Sequence, residues 1–170
     1  MIVTPSELEA IRKQAVEEYP AESCGLVFVR GEERLLLRCR NDQDRKHAED
    51  PQRYPRDART AYYIHADDLK RIGQLEIQGY SMAVIYHSHV DVGAYFSPTD
   101  KKQALVSGYL DPTYLVTSVV SGQADQILDS PERASRLGRA GLEAGEIEEI
   151  RHQPVETGRL DADGLDQLDD

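Results

Sequence analysis

Three stretches of the chain, Gly25–Val29, Met82–Tyr86 and Tyr114–Ser121, are apolar or nearly so and short. Apolar runs of that length bounded by turn signals read as strands, and strands without a polar side must be covered on both faces. Between them the pattern changes to helical spacing. Thr4-Pro5-Ser6-Glu7 makes a capping box with proline at the first helical position, and Leu8, Ile11, Ala15, Val16 and Tyr19 follow. That predicts a helix from Pro5 that stops before Pro20. Ala66–Gln78 predicts a second, with Leu69, Ile72 and Leu75 inward and Gly79 closing it, and Pro98–Ser107 a third. The alternation gives an α/β (α+β) chain, a mixed β-sheet sandwiched by helices.

Smaller elements fit between these. Arg30–Glu33 reads as a turn, Arg34–Cys39 as a strand and Ala61–Ile64 as a short strand. Arg40–Thr60 is almost entirely polar, with Asn41, Asp42, Asp50, Pro51 and Pro55 spread through it, and predicts a long exposed loop. Beyond Pro131 the pattern weakens. Glu132–Leu142 reads as a helix and Ile147–Val155 as a poor strand, while Asp161–Asp170 holds five aspartates and no basic residue, which predicts disorder. For 170 residues one domain is expected, over residues 1–158, with an acidic tail at 159–170.

Charge and composition exclude several function classes. A formal net charge of -11 and a pI near 4.9 argue against a phosphate backbone as partner, because nucleic-acid affinity draws on Lys and Arg. No run approaches the roughly 20 apolar residues of a membrane helix. The first 20 residues, with Glu7, Glu9, Glu17 and Glu18, do not resemble a signal peptide. A cytoplasmic protein is expected, with Cys24 and Cys39 as buried free thiols. Oligomeric state, a homodimer included, is open.

The segment Tyr86-His87-Ser88-His89, continuing to Ser97-Pro98-Thr99-Asp100, carries the chemistry. Side chains two apart on extended backbone point the same way, so His87 and His89 can aim both imidazoles at one point at the strand's end. A catalytic zinc commonly takes three protein ligands and leaves a fourth position to water, and Asp100 is the candidate third ligand. Ser97–Asp100 is also a helix start, with serine as N-cap, proline at N1 and an acid at N3. Capping and ligation are compatible. His47, His65 and His152 stand alone among polar residues and read as solvated.

His-x-His, seven residues, Ser, two residues, Asp resembles the motif of the JAMM (MPN-type) zinc metallopeptidases. Pro20-x-Glu22-x-Cys24-Gly25 looks like the segment preceding their first strand in small prokaryotic members. The similarity spans about Met1–Ser121. It implies a cytidine-deaminase-like fold, zinc (Zn2+) held by His87, His89 and Asp100, Glu22 as the acid/base acting on the zinc-bound water, and Ser97 as a stabiliser of the tetrahedral intermediate. Where the family usually has proline after the second histidine this chain has Val90, which implies a differently shaped loop between ligands. Asp91 beside it is a competing carboxylate, ranked below Asp100 because it lies too close to His89 to match the family spacing.

The resemblance further implies hydrolysis at the C-terminal tail of a ubiquitin-like (β-grasp) sulfur-carrier protein, releasing cysteine or extra residues to expose Gly-Gly. Alternatives are isopeptide cleavage of ubiquitin-like protein–lysine conjugates, a catalytically inactive scaffold, and a thiol peptidase built on Cys24. An extended tail is expected to add a strand to the sheet edge.

Overall fold

The computed structural model describes residues 2–130. The expected helix at 132–142, strand at 147–155 and acidic tail lie outside the described residues. Five strands, β1 (Cys24–Arg30), β2 (Glu33–Cys39), β3 (Ser81–Val90), β4 (Thr113–Val120) and β5 (Gln123–Ser130), form one sheet in the order β2-β1-β3-β4-β5. Only β3 and β4 run parallel; the other neighbours are antiparallel. The helices are α1 (Pro5–Glu18), α2 (Gln43–Glu49), α3 (Ala66–Ile77) and α4 (Pro98–Ser107). None of the described helices is long and apolar enough to cross a membrane.

Two-residue alternation along the central strands divides the core. Val27, Val84, Tyr86 and Leu115 pack with Val3 and Ile11 of the α1 side. Leu26, Phe28, Ile85 and Tyr114 face the other way, toward Ile72 of α3 and Ala104 of α4. The expected capping box opens α1, with the Thr4 hydroxyl accepting from the Glu7 N–H and the Glu7 carboxylate from the Thr4 N–H. Both cysteines are buried and free.

Gly25 has a steric reason for being glycine. The Tyr86 hydroxyl donates to Gln14 Oε1 at 2.6 Å, tying β3 to α1, and a Cβ on Gly25 would stand 2.2 Å from that hydroxyl and 2.5 Å from the Leu37 carbonyl. Gly25→Ala is expected to destabilise the protein by about 1–3 kcal/mol, read as a lower urea midpoint. An unchanged midpoint would show that β1 moves freely away from Tyr86.

The stretch 40–60 departs from the expected open loop. It contains α2, and its polar side chains bond its own main chain: Asp44 accepts from the Ala58 N–H at 2.7 Å, and Gln43 donates to the Arg56 carbonyl at 2.6 Å. His47 is not solvated but half-buried, its Nδ1 2.7 Å from the Tyr54 carbonyl oxygen. His65 caps α3, Nδ1 accepting from the Asp67 N–H; His152 lies outside the described residues. The expected strand at Ala61–Ile64 reduces to one bridge, Asn41 with Ile64, since neighbouring contacts use the Asn41 side chain instead of a ladder. β5 is an addition to the expected strands, since Gln123–Ser130 lacks a clean apolar run. Its signal was Ser121-Gly122, a two-residue turn with φ of 52° and 76°.

Candidate metal centre

The central strand runs past Tyr86, where its apolar run ends, and carries His87 and His89 inside β3 itself. Val90 extends it: the residue pairs with Val119 of β4, and Asp91 then turns the chain with φ of 56°. Burial on both sides of the sheet leaves the two imidazoles 2% and 6% exposed. Their Nε2 atoms lie 3.2 Å apart.

Asp100 reaches the same point from the first turn of α4. Its Oδ1 is 3.5 Å from His87 Nε2 and its Oδ2 3.6 Å from His89 Nε2. Meanwhile Oδ2 accepts from the Ser97 N–H at 2.7 Å, and the Asp100 N–H donates to Ser97 Oγ at 3.1 Å. Cap and cluster thus use one carboxylate together. Burial alone would raise this carboxyl's pKa, but bonds to His87, His89 and Ser97 outweigh it and hold the group well below the usual carboxylate range.

The donor set fits a zinc ion. With metal–ligand distances of about 2.0–2.1 Å, neighbouring ligands of a tetrahedral site stand about 3.3–3.4 Å apart, close to the three separations here. His89 Nδ1 faces the Gly93 carbonyl at 3.4 Å, so an Nδ1–H there leaves the Nε2 lone pair for a metal. His87 Nδ1 is buried without a hydrogen-bond partner among the described residues, and its ring packs against Tyr62 at 5.2 Å.

Glu22 arrives by strand register. Cys24 pairs with His87 in the antiparallel β1–β3 ladder, and carrying that register two residues back sets Glu22 opposite His89. Ser23 and Ser88 lock the extension: the Ser88 N–H donates to the Ser23 carbonyl at 2.9 Å, and the Ser23 N–H to Ser88 Oγ at 2.8 Å. The Glu22 main chain is held further by Ala58 and Asn41. Burial, then the charge of Asp100, pushes the Glu22 carboxyl up to about 8 against the opposing pull of Arg56. One cavity is lined by Glu22, His87, His89, Ser97 and Asp100 together.

Asp91 takes no part in that cluster. It accepts from the Ser121 N–H at 2.9 Å and the Tyr19 hydroxyl at 3.1 Å and pairs with Arg59, bracing the turn after the histidines. Ser118 holds the same turn, donating to the Val92 carbonyl at 2.6 Å. Ser88, Asn41, Arg59, Tyr62 and Ser118 carry no sequence signal of a role, because their contacts are distant along the chain.

A family profile described as prokaryotic homologs of the JAB domain matches residues 4–136. The chain belongs to this family. JAB-domain proteins are the JAMM/MPN type that the motif resembles, and they include hydrolases. The mixed sheet with four helices among the described residues agrees with the JAB fold. Among solved structures, the chain is similar to a protein from Salinibacter ruber (strain DSM 13855), with 27% identity, 76% of this chain and 82% of that chain covered, and a TM-score of 0.47. A protein from Desulfitobacterium hafniense is similar at 24% identity, over 68% of this chain and 72% of that chain, with a TM-score of 0.45. Comparison with curated proteins gives no match.

Proposed function

We propose that this JAB-domain protein is a zinc-dependent metallopeptidase that trims the C-terminal tail of a ubiquitin-like, β-grasp sulfur carrier, removing residues beyond Gly-Gly. The observation that carries the proposal is a single cavity lined by Glu22 together with two clustered imidazoles and a carboxylate. His87 Nε2, His89 Nε2 and the Asp100 carboxylate would hold the zinc. When bound, zinc supplies Lewis acidity and brings the pKa of water down to about 7.

The chain's own residues divide the remaining work. Glu22, opposite His89 and with its pKa raised by burial, takes a proton at a carboxylate oxygen and returns it to the leaving nitrogen. Ser97 Oγ accepts the Asp100 N–H, which leaves its own O–H to donate to the developing substrate oxyanion. Beside the cavity, the main-chain groups of Tyr62 and Ile64 have no hydrogen-bond partner among the described residues, whereas Tyr63 and His65 bond back toward Asp42 and Arg40. An extended tail can pair with the free groups as an added strand.

The decisive experiment offers zinc-loaded protein a sulfur carrier extended beyond Gly-Gly by cysteine, and the same carrier joined through Gly-Gly to a lysine ε-amine. Intact mass should fall to the Gly-Gly form for the first. Cleavage of the lysine conjugate alone would select the isopeptidase alternative, and unchanged masses for both would sink the proposal. As a companion test, Asp91→Ala should keep one equivalent of zinc by elemental analysis. Loss of zinc in that variant would restore Asp91 as a ligand.

A further inference from the structure

The cavity that contains the histidines extends well beyond them, to about 650 Å³. Strand alternation explains what lies past the polar end. Ile85 precedes His87 by two residues on the same face of β3, with Leu26 of β1 and Tyr114 of β4 as its register partners. The polar row formed by Glu22, His87 and His89 therefore gives way to an apolar row within one cavity. Ile72 of α3 and Ala104 of α4 close the other side, and Met82 joins them. Among the polar groups that line the cavity, the Tyr114 hydroxyl is taken up by the Tyr109 carbonyl, whereas Gln103 Oε1 is buried without a partner among the described residues.

The mouth is mixed, with Arg59 and Thr60 exposed on it beside apolar and aromatic side chains. Val92, Tyr95 and Tyr109 all line the cavity and are all exposed. The whole cavity, metal centre included, falls in the range, about 300–1,000 Å³, of sites that take small-molecule-sized groups, and the apolar row forms one end of it. A Gly-Gly tail brings no side chain to fill it. The two residues on the acyl side nearest the cleaved bond have no side chain, so the first side chain beside the metal centre is that of the residue that leaves.

We propose that the chamber formed by Leu26, Ile72, Met82, Ile85, Ala104 and Tyr114 is the specificity subsite for the leaving residue, and that it takes a large apolar side chain of the phenylalanine or leucine class. This rests on the peptidase reading above and narrows it. Burying such a side chain stabilises the bound state through the apolar area removed from water.

The test uses zinc-loaded protein and a peptide series ending Gly-Gly-X, with X as Gly, Ser, Cys, Leu or Phe. The expected kcat/KM for Leu and Phe exceeds that for Gly and Ser by at least about tenfold. Ala104→Phe should fill the chamber and collapse that ratio; Met82→Trp narrows it from the sheet side and supplies the same comparison if Ala104→Phe melts early. In parallel, N-acetyl-phenylalaninamide and N-acetylglycinamide are titrated while the methyl NMR signals of Ile72 and Ile85 are followed. Binding of the first compound alone, without hydrolysis of any peptide, keeps the subsite and removes the peptidase reading. Equal hydrolysis across the series keeps the peptidase and overturns the subsite.

Discussion

Glu22→Gln is expected to lower turnover of the extended carrier by about a hundredfold to ten-thousandfold while the protein keeps a full equivalent of zinc. The change leaves volume and main-chain contacts in place and removes only the ability to exchange a proton. Metal-free protein gives an independent readout of the same side chain. Burial first, and Asp100 second, raise this carboxyl from 4.5 to about 8, so between those values the folded state binds a proton that the unfolded chain releases. Stability from this group is therefore fully present below pH 4.5 and lost as pH rises through about 8. Glu22→Gln removes that loss: in chelator, its advantage over the wild type should be absent at pH 4 and reach at most roughly 5 kcal/mol above pH 8. Parallel urea midpoints of the two proteins across that range would contradict the buried placement of Glu22.

His89→Ala and Asp100→Asn are expected to abolish both zinc retention and turnover, as measured by elemental analysis after dialysis and by intact mass of the carrier. Loss of an outer hydrogen-bond partner costs about 10–100-fold in metal affinity, so loss of a direct ligand should cost more. The two variants separate ligation from folding. Asparagine keeps an amide oxygen that can accept the Ser97 N–H, so α4 should remain capped and metal-free Asp100→Asn should still unfold cooperatively, at a melting temperature below that of metal-free wild type because the carboxylate's bonds to His87 and His89 are lost. Full zinc occupancy in either variant would move the metal elsewhere or remove it.

The elements with strong periodicity were legible in the sequence. α1, α3, α4 and the apolar strands follow from spacing and caps, and the motif residues His87, His89 and Asp100 converge as their spacing suggested. What was not legible depends on pairing between distant segments. Glu22 was named only through the resemblance of Pro20–Gly25 to a family motif; its place opposite His89 follows from the β1–β3 register, which no local pattern around Pro20 encodes. α2 was hidden because Gln43, Asp44 and Asn41 stabilise their neighbourhood by side-chain bonds to main chain, and such residues look like loop composition. Asp91 showed the reverse problem. Next to two histidines it resembled a ligand, yet its partners Tyr19, Arg59 and Ser121 lie 72, 32 and 30 positions away.

Because the Ser97–Asp100 cap belongs to the helix itself, the carboxylate is already aimed when no cation is near. The donor set proposed for zinc, two imidazoles and one carboxylate, would also suit nickel and copper, in the usual order of divalent affinities. On the proposed metal centre occupancy would follow supply: cells grown in copper-rich or zinc-poor medium should yield differently metallated preparations of one folded species, interconvertible by dialysis without passing through the denatured chain.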